Sequence, residues 1–104
     1  MRVKWHSKAK IAVQQTARYI RSRFDAKSAS DFVQEVYHTE KLLVNNPHLG
    51  SAEPLLSDLP VLYRSIVINR LNKLVYWVND DTIEIVAFWD TRREPKTQAE
   101  EVNR

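Results

Sequence analysis

The residues of this sequence best placed to do chemistry stand at the end of one strand. From Thr82 the chain alternates as a strand, and it then runs into Asp90-Thr91-Arg92-Arg93-Glu94, closed by Pro95. Two adjacent guanidiniums on a rigid frame can grip an anionic target or pair with carboxylates. The competing explanation is an ordinary polar strand end, because proline lacks the N–H needed to continue a ladder. Along the strand itself, period-two alternation puts Ile83, Ile85, Ala87 and Trp89 on one face.

A second charge is out of place. Arg64 alternates in register with Leu62, Ile66 and Ile68, and a charge is almost never fully buried without a partner. It therefore reaches the sheet's edge or is held for a purpose. His38 and His48 show no metal-ligand spacing, and there is no cysteine, so no metal site, thiol chemistry or cofactor is expected. In the irregular stretch 45–60, Ser51, Glu53, Ser57 and Asp58 form no recognisable catalytic set. That stretch reads as a structural crossing.

The elements that must position these residues are legible from periodicity. Val3 and Trp5 alternate with Arg2, Lys4 and His6 as a first strand. Ser7 offers an N-cap, and Ala9, Val13, Ala17, Ile20 and Phe24 follow at helical spacing over residues 8–24. A short link at residues 23–27 leads into a second helical pattern through Ala29, Phe32, Val33, Val36, Leu43 and Val44, ending at Asn45-Asn46-Pro47. So short a link implies an antiparallel helical hairpin laid over the sheet. Strands return at residues 62–69 and 73–78, with turns at Asn69-Arg70-Leu71-Asn72 and Asn79-Asp80-Asp81, giving an antiparallel meander.

With 104 residues, the chain reads as a single domain spanning 1–104, of the α+β class: a two-helix hairpin on a small antiparallel sheet in the order β-α-α-β-β-β. No apolar run is long enough for a membrane span or a signal peptide, which makes the cytoplasm the expected compartment. The net charge is +3 and the pI about 9.3, but the charge is unevenly spread. Residues 1–27 carry Arg2, Lys4, Lys8, Lys10, Arg18, Arg21, Arg23 and Lys27 against Asp25 alone, whereas residues 28–61 are acidic. This asymmetry points to a polyanionic or acidic partner, or to a solvated helix face.

The order of elements, together with Val3-Lys4-Trp5, Tyr19-Ile20, Ala29, Phe32, Pro47-x-x-Gly50, Tyr63-Arg64, Leu74-Val75-Tyr76 and the Asp90–Pro95 tail, resembles the RelE/ParE superfamily of bacterial toxins, also called plasmid stabilization proteins. The resemblance covers nearly the whole chain. It implies the toxin of a type II toxin–antitoxin pair, neutralised by a cognate antitoxin whose disordered segment wraps it. It also implies a homodimer or a toxin–antitoxin heterotetramer as the assembled form. ParE-like members poison DNA gyrase, whereas RelE-like members are ribosome-dependent mRNA endoribonucleases.

Aligned with a RelE-like pattern, Arg64, Lys73 and Arg93 fall on basic positions of that branch, and a further basic position falls on Ile66. The resemblance thus makes Arg64, Lys73, Arg93 and Asp90 candidate catalytic residues, with Arg92, Tyr63 and Glu94 as target-binding candidates. Cleavage through the 2′-hydroxyl needs a proton acceptor, cations on the phosphate and a proton donor for the leaving oxygen. The tail tyrosine of such nucleases has no counterpart here, and Asp90 stands where some relatives carry histidine. A gyrase-directed toxin is therefore the expectation. A nuclease using Asp90, Glu94 or Tyr63 in place of the missing groups is the alternative, and a degenerate toxin that only binds its antitoxin is the third. For either active form the expectation is that the last strand holds Arg93 beside Arg64 and Lys73 as one cationic grip for an anionic target.

Overall fold

The computed structural model describes residues 1–92 together with Ala99 and Val102. The element order is β1 (Arg2–Trp5), α1 (Ser7–Arg23), α2 (Ala26–Asn45), β2 (Ser51–Ala52), a 3-10 turn (Pro54–Leu56), β3 (Arg64–Ile68), β4 (Asn72–Asn79) and β5 (Thr82–Asp90). This is the expected α+β arrangement with two refinements. The sheet is mixed, in the order β1-β5-β4-β3-β2, because β1 runs parallel to β5 while the other pairs are antiparallel. The helical hairpin between β1 and the meander supplies the crossover that a parallel pair requires. Part of the stretch expected to be irregular also forms β2, which pairs with Arg64 and Ser65.

The helices start differently. Asp25 caps α2, its carboxylate accepting from Ser28 N at 2.7 Å, and that bond holds its pKa below the usual carboxylate range. Ser7, expected to cap α1, is instead its first helical residue. His6 occupies the cap position and makes no side-chain capping bond.

The hairpin packs on one face of the sheet, where Ala9, Phe32, Val36 and Leu43 meet Ile68, Leu74, Tyr76, Ile83, Ile85 and Phe88. Phe32 and Phe88 meet edge to face, with ring centres 5.9 Å apart. The other face carries a smaller cluster of Leu56, Val75, Ala87 and Trp89, against which Leu55, Leu59, Tyr63, Val86, Ala99 and Val102 pack.

A β-bulge at Val86 decides which face each β5 residue serves. Tyr76 pairs with Ile85 and Val75 with Ala87, so Val86 is the extra residue. Ile83 and Ile85 therefore belong to the helix side and Ala87 and Trp89 to the opposite side. The expectation that all four share one face fails, because one inserted residue inverts the alternation. The meander turns are tight, with Asn69, Arg70 and Asp80 at positive φ (48°, 70° and 54°). Asn and Asp tolerate that region; Asp80 opens the two-residue turn between Asn79 and Thr82, and Asn69 and Arg70 belong to the three-residue turn between Ile68 and Asn72.

Candidate functional site

On the face away from the helices, Lys73 of β4 is held between a carboxylate and an aromatic ring. Its Nζ lies 2.6 Å from Glu53 Oε1 and 5.3 Å from the centre of the Trp89 ring. The Glu53 side chain is 1% exposed and that of Lys73 is 17% exposed. Ser65 Oγ donates to Glu53 Oε2 at 2.6 Å, Leu55 N donates to Oε1 at 3.4 Å, and Glu53 N donates to Tyr63 O at 2.9 Å. The carboxylate thus acquires a cation, a hydroxyl and a backbone donor, the conditions under which a buried charge is tolerated. Glu53 was not recognisable from its loop. A signal for it existed in β4, where Lys73 alternates with Val75 and Trp77 and a lysine on so apolar a face requires an acidic partner.

Arg64 is elsewhere. It pairs with Tyr76 and shares the helix-facing side with Ile66 and Ile68, whereas Lys73, one residue out of phase with Leu74 and Tyr76, projects from the other side. Arg64 Nη1 donates to Gly50 O at 2.8 Å. Tyr76 completes that corner: its hydroxyl accepts from Gly50 N and donates to Pro47 O, both at 2.8 Å. Burial raises the Tyr76 pKa, so the phenol stays protonated and able to donate. Gly50 is required there, since a Cβ would lie 2.8 Å from Ser65 O and 2.9 Å from the Tyr76 ring. A shallow pocket of about 310 Å³ beside Arg64 is lined by His48, Val61, Leu62, Trp77 and Val78.

The expectation of one cationic grip is therefore corrected for Arg64 and Lys73, which the sheet directs to opposite faces. Arg93 and Glu94 lie outside the described residues. At the end of β5, Arg92 forms a two-pronged pair with Asp90, with Nε to Oδ1 at 3.1 Å and Nη2 to Oδ2 at 2.9 Å, and Asp90 Oδ1 also accepts from Arg92 N at 2.8 Å. The side-chain bond to Asp90 raises the already high pKa of Arg92. Tyr63 packs on the Lys73 side, against the cluster around Trp89. Among the described residues no group of three His, Asp or Glu side chains is placed to hold a metal ion, and no helix is long and apolar enough to cross a membrane.

Between α1 and the end of β5 runs a groove in two adjoining parts of about 520 and 340 Å³, both bordered by Ala12, Gln15 and Phe88. Ile11, Tyr19, Phe24 and Leu71 line it while remaining 51%, 60%, 70% and 45% exposed. Large apolar side chains clustered this way mark an interaction surface more strongly than the same residues scattered singly.

Residues 3–95 match the family described as the ParE toxin of the type II toxin–antitoxin system parDE. The chain belongs to the ParE toxin family. Its fold is shared with solved structures. A chain of the chromosomal ParDE toxin–antitoxin system from P. aeruginosa superposes with a TM-score of 0.71 at 21% identity, covering 86% of this chain and 95% of that one. A chain of the YoeB dimer from Staphylococcus aureus gives 0.57 at 24% identity, covering 84% and 92%. No curated protein matches the sequence. The five-stranded mixed sheet under a helical hairpin is thus the ParE-family frame.

Proposed function

We propose that this ParE-family toxin acts on DNA gyrase and is restrained by a cognate antitoxin. The observation that carries this reading is the state of Lys73. A nuclease needs cations free to meet a phosphate and a carboxylate free to take a proton. Lys73 and Glu53 are instead spent on each other in a nearly buried pair, and Arg64 faces the other side of the sheet. The test is incubation of the purified chain with gyrase, ATP and plasmid DNA. Trapped double-strand breaks are expected, and a gyrase reaction unchanged by the toxin removes the proposal.

A ribosome-dependent endoribonuclease is the second reading, and one observation favours it: Asp90 and Arg92 put a carboxylate and a guanidinium together at the solvent-accessible end of β5. In that reading Lys73, Arg93 and Arg64 are the cations for phosphate, and Asp90 or Glu94 takes the proton. Cleavage of translated messages that is lost in Arg93→Ala supports it. Harmless overexpression supports the third reading, a chain that only binds its antitoxin.

The antitoxin's place is the groove along α1, where Ile11, Tyr19, Phe24 and Leu71 offer apolar anchors and Lys8 and Arg92 stand at the margins. The assembled form is a homodimer or a toxin–antitoxin heterotetramer in the cytoplasm, where either target resides.

A further inference from the structure

The flank of α1 turned away from that groove has a different character. Lys10, Gln14, Arg18 and Arg21 recur at i, i+4, i+8 and i+11 and are all exposed, forming one stripe roughly 16 Å long at 1.5 Å per residue. The helix contains no acidic residue. None of these cations takes part in an ion pair among the described residues, because the acids of α2 are engaged elsewhere. Asp31 pairs with Lys27, Glu35 accepts from Asn69 N, and Glu40 accepts from Trp5 Nε1. Helix stability does not account for the pattern. Arg21 suits the negative C-terminal end, but Lys8 and Lys10 stand at the positive N-terminal end, in a helix without a capping side chain.

We propose that this stripe binds the phosphodiester backbone of a nucleic acid. An acidic protein would need apolar anchors among the charges to hold its place; Trp5 and Tyr37 stand beside Lys10 and Gln14 at one end of the stripe, but Arg18 and Arg21 at the other end border neither that hollow nor the groove. At that end the row presents guanidinium donors alone, which suits phosphates, bound through charge and hydrogen bonds without apolar anchors. The two flanks of α1 thus serve different partners. The inference does not depend on the gyrase reading: a toxin that leaves gyrase untouched still binds nucleic acid if the stripe works as argued.

The experiment measures fluorescence anisotropy of labelled duplex DNA and, separately, of single-stranded RNA, each titrated with the full chain over a series of salt concentrations. Binding that weakens linearly in log–log form is expected, and the tighter of the two identifies the nucleic acid. The R18Q/R21Q variant loses about tenfold or more in affinity at low salt, and its salt slope falls by about 2, since each phosphate that is no longer neutralised removes about 0.9. R18K/R21K retains most of the affinity, separating charge from any structural role, and circular dichroism verifies that both variants fold. The proposal is overturned if neither nucleic acid binds in a salt-dependent way, or if R18Q/R21Q binds as the parent does. It is equally overturned if polyglutamate competes as well as nucleic acid at equal charge, which would assign the stripe to an acidic protein.

Discussion

Lys73 and Glu53 stand 20 positions apart in sequence, yet Nζ and Oε1 meet at 2.6 Å beneath the ring of Trp89. The pair fastens the crossing segment after α2 to the sheet face that the helices leave uncovered. Its environment makes it a structural clamp first, since the carboxylate has almost no access to solvent.

Removing one partner should therefore cost more than removing both. Glu53→Ala leaves the lysine charge without its partner in a largely buried site and is expected to destabilise the chain by about 3 kcal/mol, whereas E53L/K73M recovers most of that loss. Urea denaturation of the single and double variants measures it. A double variant as unstable as the single would show that the clamp works through shape and not charge.

The corner built on Tyr76 makes a second expectation. Tyr76→Phe strips the acceptor from the buried Gly50 N and the donor from the part-buried Pro47 O, at a cost of about 1–3 kcal/mol. Gly50→Ala forces its Cβ against Ser65 O, which is backbone and cannot swing away. The midpoint of thermal unfolding should fall in both variants, and Arg64, which donates to Gly50 O, should become more mobile in each.

The β1–β5 edge predicts a pH dependence. Glu84 accepts from His6 Nε2, 2.8 Å away, and from Asn79 Nδ2 at 2.7 Å, and these bonds, that of His6 first, hold its pKa below the ordinary 4.5. A carboxyl with a depressed folded pKa contributes stability that is complete above its unfolded value and is lost as pH falls through the folded one. Stability of the parent chain should accordingly drop below about pH 4.5, and Glu84→Gln should flatten that part of the profile. Parallel profiles for the two proteins would remove Glu84 as a source of acid sensitivity.

The groove along α1 is checked by Y19S/F24S. Both side chains are well exposed, so the fold should be little affected. Loss of two apolar anchors is expected to weaken the complex with the product of the neighbouring reading frame by about 10- to 100-fold, corresponding to about 1–3 kcal/mol. Calorimetric titration reads this directly, and an unchanged Kd would place the antitoxin elsewhere.

Periodicity alone determined the strand, helical hairpin and meander, because Val3 and Trp5, the 3.6-residue recurrence from Ala9 to Ile20, and the alternation from Ile66 to Ile68 are local consequences of which side meets the core. The family was legible for the same reason, being written in the order of these elements and a few short motifs. Three things were decided only in three dimensions. The partnership of Glu53 with Lys73 joins a loop to a strand, and no spacing rule relates residues so placed. The separation of Arg64 from Lys73 follows from pairing register, which sets faces only once both strands are laid side by side. The reversal of Ala87 and Trp89 comes from the single bulged residue Val86, whose type does not distinguish it from its neighbours and whose extra position exists only relative to Val75 and Tyr76 across the ladder.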